Sequence, residues 1–327
     1  MATPETQILD DVIVRSRRKM LSLGSAALAG LALAGISKAA QAQATLMDSD
    51  YLNFALQLEY LEANFYCLAA NGVTIDKLAT PIGITGTGTQ GGAVITKPNF
   101  AKVPFVSSTI AAYCAETALE EGKHVSFLRS ALGSSAVAQP QLDLYNSFNT
   151  LGSAAVGLAS FDPFASDAFF LIGAFIFEDV GVTAYTGAAG AITTNSNLVA
   201  AAGILATEAY HAGLVRTAIN AADAGTDSLN SITRKIAAFR NKLDGVTTTD
   251  DIGVNQTTAP LMVSLEGTTA AYPSQTIVDT NSLTSGTSNN SLTYSRTPTQ
   301  VLQIVTGVTT SPHKGVFFPN GFNGNIV

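Results

Sequence analysis

The sequence predicts an all-α core: a four-helix bundle with a long crossover between helices 2 and 3, a short fifth helix and a loop-rich, partly β C-terminal tail. Three observations predict it. Four segments of bundle length show helical periodicity with no internal proline. About 30 residues separate the second from the third, enough to travel the length of a bundle. From about residue 244 the composition turns to Thr, Ser and Asn, with short apolar runs such as Leu261-Met-Val-Ser-Leu265.

The chain opens on an address. Ser16-Arg17-Arg18-Lys19-Met20-Leu21 places an arginine pair before an apolar stretch, 21–36, that is too short and too rich in small residues for a comfortable membrane span. Ala-x-Ala cut sites follow, ending at Ala42 or Ala44. Together these read as a cleaved signal peptide over 1–44, with an uncleaved anchor as the alternative, and the arginine pair resembles the twin-arginine type. The resemblance implies a periplasmic or secreted protein, folded and often metal-loaded before export, with no membrane association after cleavage. No other segment reads as a span.

Asp48 or Asp50 can cap the first helix, which runs to about Ala70 and stops at Asn71-Gly72. A Gly/Thr-rich insertion, 72–104, precedes the second helix, which Ser107 or Ser108 opens and Leu132-Gly133 ends. The crossover occupies 134–164. The third helix begins near Ser166-Asp167 and carries Phe169, Phe170, Phe175 and Phe177 to about Gly187; residues 195–197 cap the fourth, which reaches about Asp223. A fifth, about 229–243, has its basic residues in the second half, where they suit the helix dipole. The bundle therefore spans 45–225, and 226–327 is an extension packed on it.

The precursor has 17 basic and 24 acidic residues; residues 1–44 hold five and three of these, which leaves the rest at a net charge of −9. An acidic, weakly charged surface argues against nucleic acid as a partner. A homo-oligomer is compatible with the sequence.

Histidine is scarce: His124, His211 and His313. Two of the three follow a glutamate by three residues, in Glu121-Gly-Lys-His124 and Glu208-Ala-Tyr-His211. Chance gives two such pairs with a probability of roughly 0.002. Residues i and i+3 share a helical face, so each pair can offer a carboxylate and an imidazole to one metal. Glu59 on the first helix and Glu178 on the third sit in apolar neighbourhoods, where an unpartnered carboxylate is costly. Each has a tyrosine seven residues on, Tyr66 and Tyr185. The chain thus reads twice as Glu-x6-Tyr followed by Glu-x-x-His, a degenerate duplication. Lys123, Arg129 and Arg216 are the evident cations nearby, too few to neutralise these carboxylates.

One Glu from each of two helices and Glu-x-x-His from each of the other two resembles the metal-binding pattern of ferritins, bacterioferritins, rubrerythrins and manganese catalases. Closer still, Leu58-Glu-Tyr-Leu-Glu-Ala-Asn-Phe-Tyr66, Thr297-Pro-Thr-Gln-Val-Leu-Gln-Ile-Val305 and Gly315-Val-Phe-Phe-Pro-Asn-Gly321 resemble segments of exported bacterial ferritin-like-domain proteins related to plant desiccation-related proteins. The similarity covers about 48–327. It implies two Fe or Mn ions held by Glu59, Glu121, His124, Glu178, Glu208 and His211, with Glu121 and Glu208 as bridges.

Glu62 lies one turn from Glu59 and can share its face, whereas Glu120 and Glu116 lack the three-residue spacing to His124. Tyr66 and Tyr185 either donate hydrogen bonds to ligand carboxylates or pack as core residues. Tyr210 is expected to face elsewhere, and His313, in Ser-Pro-His-Lys, to lie at the surface. Cys67 and Cys114 fall on the same side of the expected centre, about 10–12 Å from it, either as a disulfide or as two buried thiols.

The mixed carboxylate–imidazole set suits iron or manganese and redox chemistry with O2 or peroxide, ferroxidase-, peroxidase- or catalase-like. The alternative implied by the plant relatives is a non-catalytic stress or desiccation-protection protein with a structural or vestigial metal site. Iron storage in a cage ranks last, since few spare carboxylates remain to nucleate mineral.

Overall fold

The computed structural model describes residues 46–89, 92–223, 225–245, 251–254, 261–265, 268–272 and 292–327. The expected signal segment lies outside them. Among the described residues the helices are α1 (Asp48–Asn71), α2 (Ser108–Leu132), α3 (Asn146–Val156), α4 (Asp167–Ala189), α5 (Asn195–Asp223), α6 (Ser228–Leu243) and α7 (Pro298–Thr306). Helices α1 and α2 pair as one hairpin, and α4 and α5 as the other. Contacts at both ends of the first hairpin fix its antiparallel sense. Asn53 near the start of α1 donates to Ser135 O just past the end of α2, while Cys114 near the start of α2 reaches Tyr66 O. The crossover from α2 to α4 carries the chain back along the bundle, so α1 and α4 also run antiparallel, as the pairs Glu59–Tyr185 and Tyr66–Glu178 require.

Local chemistry explains the helix ends. Ser107 and Ser166 cap α2 and α4, accepting from the backbone N–H of Ile110 and Phe169. Gly72 ends α1 in the left-handed region (φ 77°), its N–H bonded to Leu68 O. At the start of α1 the expected aspartate cap is replaced by a related device. Met47 occupies the cap position and Asp50, three residues on, reaches back to accept from Met47 N at 2.7 Å. Asp48 points outward instead and accepts from the backbone of Thr193 and Thr194 and from Asn197, tying α1 to the α4–α5 connection.

Helix α4 is buried around its whole circumference from Phe170 to Tyr185, as an evenly apolar helix must be. By length and composition alone α4 and α5 could each cross a bilayer; 89% of the apolar window of α4 is instead buried inside the protein.

Two helices were not expected. Helix α3 interrupts the crossover and sends Phe148 into an aromatic cluster with Phe65, Phe164, Phe177 and Phe317. Helix α7 lies in the tail and packs on α4 and α6. Its Thr297–Gln300 capping box and Pro298 at the first turn were in the sequence as start signals. The tail is partly β as expected: the strand Leu261–Leu265 pairs antiparallel with the strand Thr268–Tyr272. Earlier in the chain, two-residue strands Val94–Ile95 and Leu142–Asp143 pair in parallel and join the insertion to the crossover.

The end of the chain is structural. Fully buried Gln57 on α1 donates to Asn323 O at 2.9 Å and accepts from Asn323 N at 2.5 Å, and Phe317 and Phe318 are buried in the core. His313 is carried in with this segment and is 8% exposed, contrary to its expected surface position. Its turn folds back on the bundle, so a turn-forming sequence here does not mean solvent exposure.

Candidate metal centre

Four helices bring the predicted ligands to one buried place. Glu59 comes from α1, Glu121 and His124 from α2, Glu178 from α4, and Glu208 and His211 from α5; the five outside His124 are at most 1% exposed. They fall into two groups. Glu59, Glu121, His124 and Glu208 offer one donor atom each within 4.8 Å of one another, and so do Glu121, Glu178 and His211.

Each imidazole turns Nδ1 inward. His124 Nδ1 lies 3.2 Å from Glu59 Oε2, 3.4 Å from Glu121 Oε2 and 3.8 Å from Glu208 Oε1. His211 Nδ1 lies 3.0 Å from Glu121 Oε1 and 3.5 Å from Glu178 Oε2. Glu121 therefore gives one oxygen to each group. Glu208 does not repeat this: it stands with His124 and not with His211, its own neighbour in sequence.

The tyrosines close the pattern crosswise. Tyr66 on α1 donates to Glu178 Oε1, and Tyr185 on α4 donates to Glu59 Oε1. Each hydrogen bond occupies one oxygen of its glutamate and leaves Oε2 toward the imidazole. The two-fold repeat seen in sequence is thus a two-fold arrangement in space, with the tyrosine of each half holding the glutamate of the other.

The repeat is broken at one turn. Glu62 stands three residues after Glu59, and Gly181 three after Glu178. Glu62 is 5% exposed and points into the site, where its Oε1 is 3.6 Å from where a Cβ on Gly181 would be. Glu208 Oε2 lies only 2.1 Å from that point, so the missing side chain of Gly181 makes the room that Glu208 fills. Gly181→Ala is expected to displace the Glu208 carboxylate and lower metal content, chiefly beside His124. Helix α4 should be retained, since alanine is the better helix former. Metal analysis beside circular dichroism checks this, and unchanged metal content would show Glu208 dispensable.

Five carboxylates face two imidazoles. Among the described residues no Lys or Arg forms an ion pair with any of the five. Arg216 binds Asp179 at 2.8 Å, Arg129 donates to Tyr60 OH, and Lys123 is exposed. Burial, with the charge of Glu121 next, pushes Glu59 up to about 7. It raises Glu62 and Glu208 well above the usual carboxylate range and raises Glu178 as well. Glu121 is the exception: burial opposes ionisation there too, but the imidazoles on either side hold it down at about 2. Burial would lower both histidines, yet Glu59 and Glu121 lift His124 to about 10, and Glu178 and Glu121 lift His211 to about 12.

Both oxygens of Glu121, both of Glu208, Glu178 Oε2 and His211 Nδ1 are buried without a hydrogen-bond partner. Groups buried in this state cost free energy unless something positively charged satisfies them. Oxygen donors with imidazole, converging from four helices, fit a divalent metal ion.

Other predicted positions lie apart. Tyr210 is half exposed and donates to Glu116, facing away from the centre as expected. Cys67 and Cys114 are both buried as free thiols. Burial raises both thiols, and for Cys114 the neighbouring Cys67 adds to the effect.

The sequence reading missed a second buried polar cluster. Asp179, Arg216, Arg240, Asp251, Arg296 and Asp244 form a continuous buried ion network behind α4. Its members are scattered from 179 to 296, with no spacing to mark them.

The chain matches the ferritin-like domain family over residues 47–221, and it belongs to that family. It is 30% identical over 288 residues to a desiccation-related protein of Craterostigma plantagineum, covering 85% of this chain and 83% of the relative. It is 24% identical over 290 residues to a ferritin-like catalase of Nesocodon mauritianus, covering 85% and 84%. No solved structure is a significant match.

Proposed function

We propose that this protein is an exported ferritin-like protein that holds two iron or manganese ions and reacts with peroxide or O2. The observation that carries the proposal is the set of orphaned, buried donor atoms on Glu121, Glu178, Glu208 and His211, which among the described residues no Lys or Arg pairs with. When bound, the ions would supply the two-electron exchange by which one peroxide is oxidised to O2 and a second reduced to water.

The chain's own groups set the conditions. Glu121, with Oε2 toward His124 and Oε1 toward His211, would serve both ions. Tyr66 and Tyr185 fix the orientation of Glu178 and Glu59 and leave one oxygen of each free for a metal. Helix α4 and the aromatic cluster exclude bulk water, which strengthens charge interactions inside. His124, 12% exposed at its side chain, is the least buried of the six donors.

The catalase relative supports the redox reading, and the arginine pair with its apolar run and cut site supports export. A second reading has its own support: the more similar desiccation-related relative favours a protective protein whose metal only stabilises the bundle. One experiment separates them. Protein isolated from its native compartment should contain about two Fe or Mn per chain and release O2 from peroxide, and chelation should abolish the activity and lower the melting temperature. Metal retained without turnover of peroxide or Fe(II) would establish the protective reading. A stable metal-free protein would exclude the redox reading and leave the protective one, with a vestigial site.

A further inference from the structure

The two imidazoles are not held alike. His211 Nε2, the nitrogen turned away from the centre, lies 2.8 Å from Glu120 Oε2. His124 presents Nδ1 to Glu59 in the same way, but among the described residues its Nε2 has no hydrogen-bond partner. The duplication explains the difference. Glu120 immediately precedes Glu121, and the matching position before Glu208 is Thr207, whose hydroxyl donates to Gly203 O on its own helix. One half of the repeat thus carries an outer carboxylate that the other half lacks.

An imidazole that binds a metal through Nδ1 must carry its proton on Nε2. A carboxylate accepting from that N–H fixes the tautomer, locks the ring and strengthens the donor. Glu120 is placed to do this across the junction of α2 and α5, and it is 31% exposed, so its own carboxylate remains partly solvated.

We propose that Glu120 is a positioning residue that acts through His211 and makes the metal position beside His211 the tighter of the two. The inference rests on the two-metal reading. Its consequence is ordered loading: the position of Glu121, Glu178 and His211 fills first and empties last.

The test is a calorimetric titration of the chelator-treated protein with Mn(II) alone. The unaltered protein should show two steps with affinities about tenfold or more apart. Glu120→Ala should weaken the tighter step by about 10–100-fold and leave the weaker one in place. Glu120→Gln, whose amide oxygen still accepts, should restore part of the loss. Glu116→Ala removes the same charge one turn away, where Tyr210 and not a histidine is the partner, and should change neither step. The nitrogen spectrum of the metal-free protein gives an independent readout: Glu120→Ala should move the His211 Nε2 resonance and leave that of His124.

Two equal steps in the unaltered protein, equal weakening of both by Glu120→Ala, no effect of that variant, or the same effect from Glu116→Ala would each overturn the inference. Absence of any Mn(II) uptake by the unaltered protein would instead overturn the two-metal reading on which it rests.

Discussion

Glu121→Ala is expected to empty both metal positions, whereas Glu59→Ala and Glu178→Ala each empty one. Among the described residues Glu121 is the single one whose carboxylate lies in both donor groups, Oε2 at 3.4 Å from His124 Nδ1 and Oε1 at 3.0 Å from His211 Nδ1. It is also the carboxylate that two imidazoles hold ionised, down to about 2, while burial presses the others toward neutrality. Its removal takes away the anion that neutralises both histidines. Glu59 and Glu178 belong to one group each, and their tyrosine partners come from opposite halves. Metal stoichiometry should therefore fall from about two per chain to none in Glu121→Ala and to about one in each of the other two variants. Equal losses in all three would mean that the metals are bound only as a pair. Retention of both in Glu121→Ala would remove the bridging role.

Arg240→Leu is expected to cause the largest loss of stability of any single change away from the centre. Arg240 is 3% exposed at its side chain and grips Asp251 with two bonds, Nε at 2.6 Å and a terminal nitrogen at 2.8 Å. It also reaches Asp179 at 2.9 Å and Phe175 O at 2.8 Å. Without it Asp251 depends on Arg296 and Asp179 on Arg216, and each buried carboxylate is left short of compensation. Breaking a buried ion pair from one side costs about 3–5 kcal/mol, roughly 10 °C in melting temperature for a domain of this size. Lys235→Ala on the exposed side of the same helix should leave the melting temperature within about 1–2 °C. A melting curve for Arg240→Leu that overlays the parent would show that water, not the protein, satisfies the network. Because Asp179 adjoins Glu178, a destabilised Arg240 variant should also hold its metal less firmly.

The bundle was legible because its signals are local. Helix α4 had Ser166 at its start and an uninterrupted apolar run, and α2 had Ser107 and the Leu132-Gly133 stop. Helix α3 was not legible. It is only 11 residues long, contains Gly152 and several Ser, Asn and Thr, and is held by what Phe148 touches rather than by propensity. His313 was misplaced for a related reason. A turn sequence reports a change of chain direction, and whether that turn meets solvent or the bundle depends on segments hundreds of residues away.

The candidate site divides along the same line. Spacing along the chain marks which residues can act together: two Glu-x-x-His pairs on helices, two glutamates in apolar surroundings and two tyrosines at a constant spacing. Helical periodicity is short-ranged, and three- and seven-residue spacings fix a shared face before any tertiary contact forms. How the halves meet is set by packing between helices. That packing crossed the tyrosines onto opposite glutamates, gave Glu121 to both groups and Glu208 to one, and set Glu208 into the space left by Gly181. It also brought Glu120, set aside on spacing alone, within hydrogen-bond reach of His211 on another helix. These are relations between helices, fixed by packing and by the balance of buried charge, and no spacing along one chain segment encodes them.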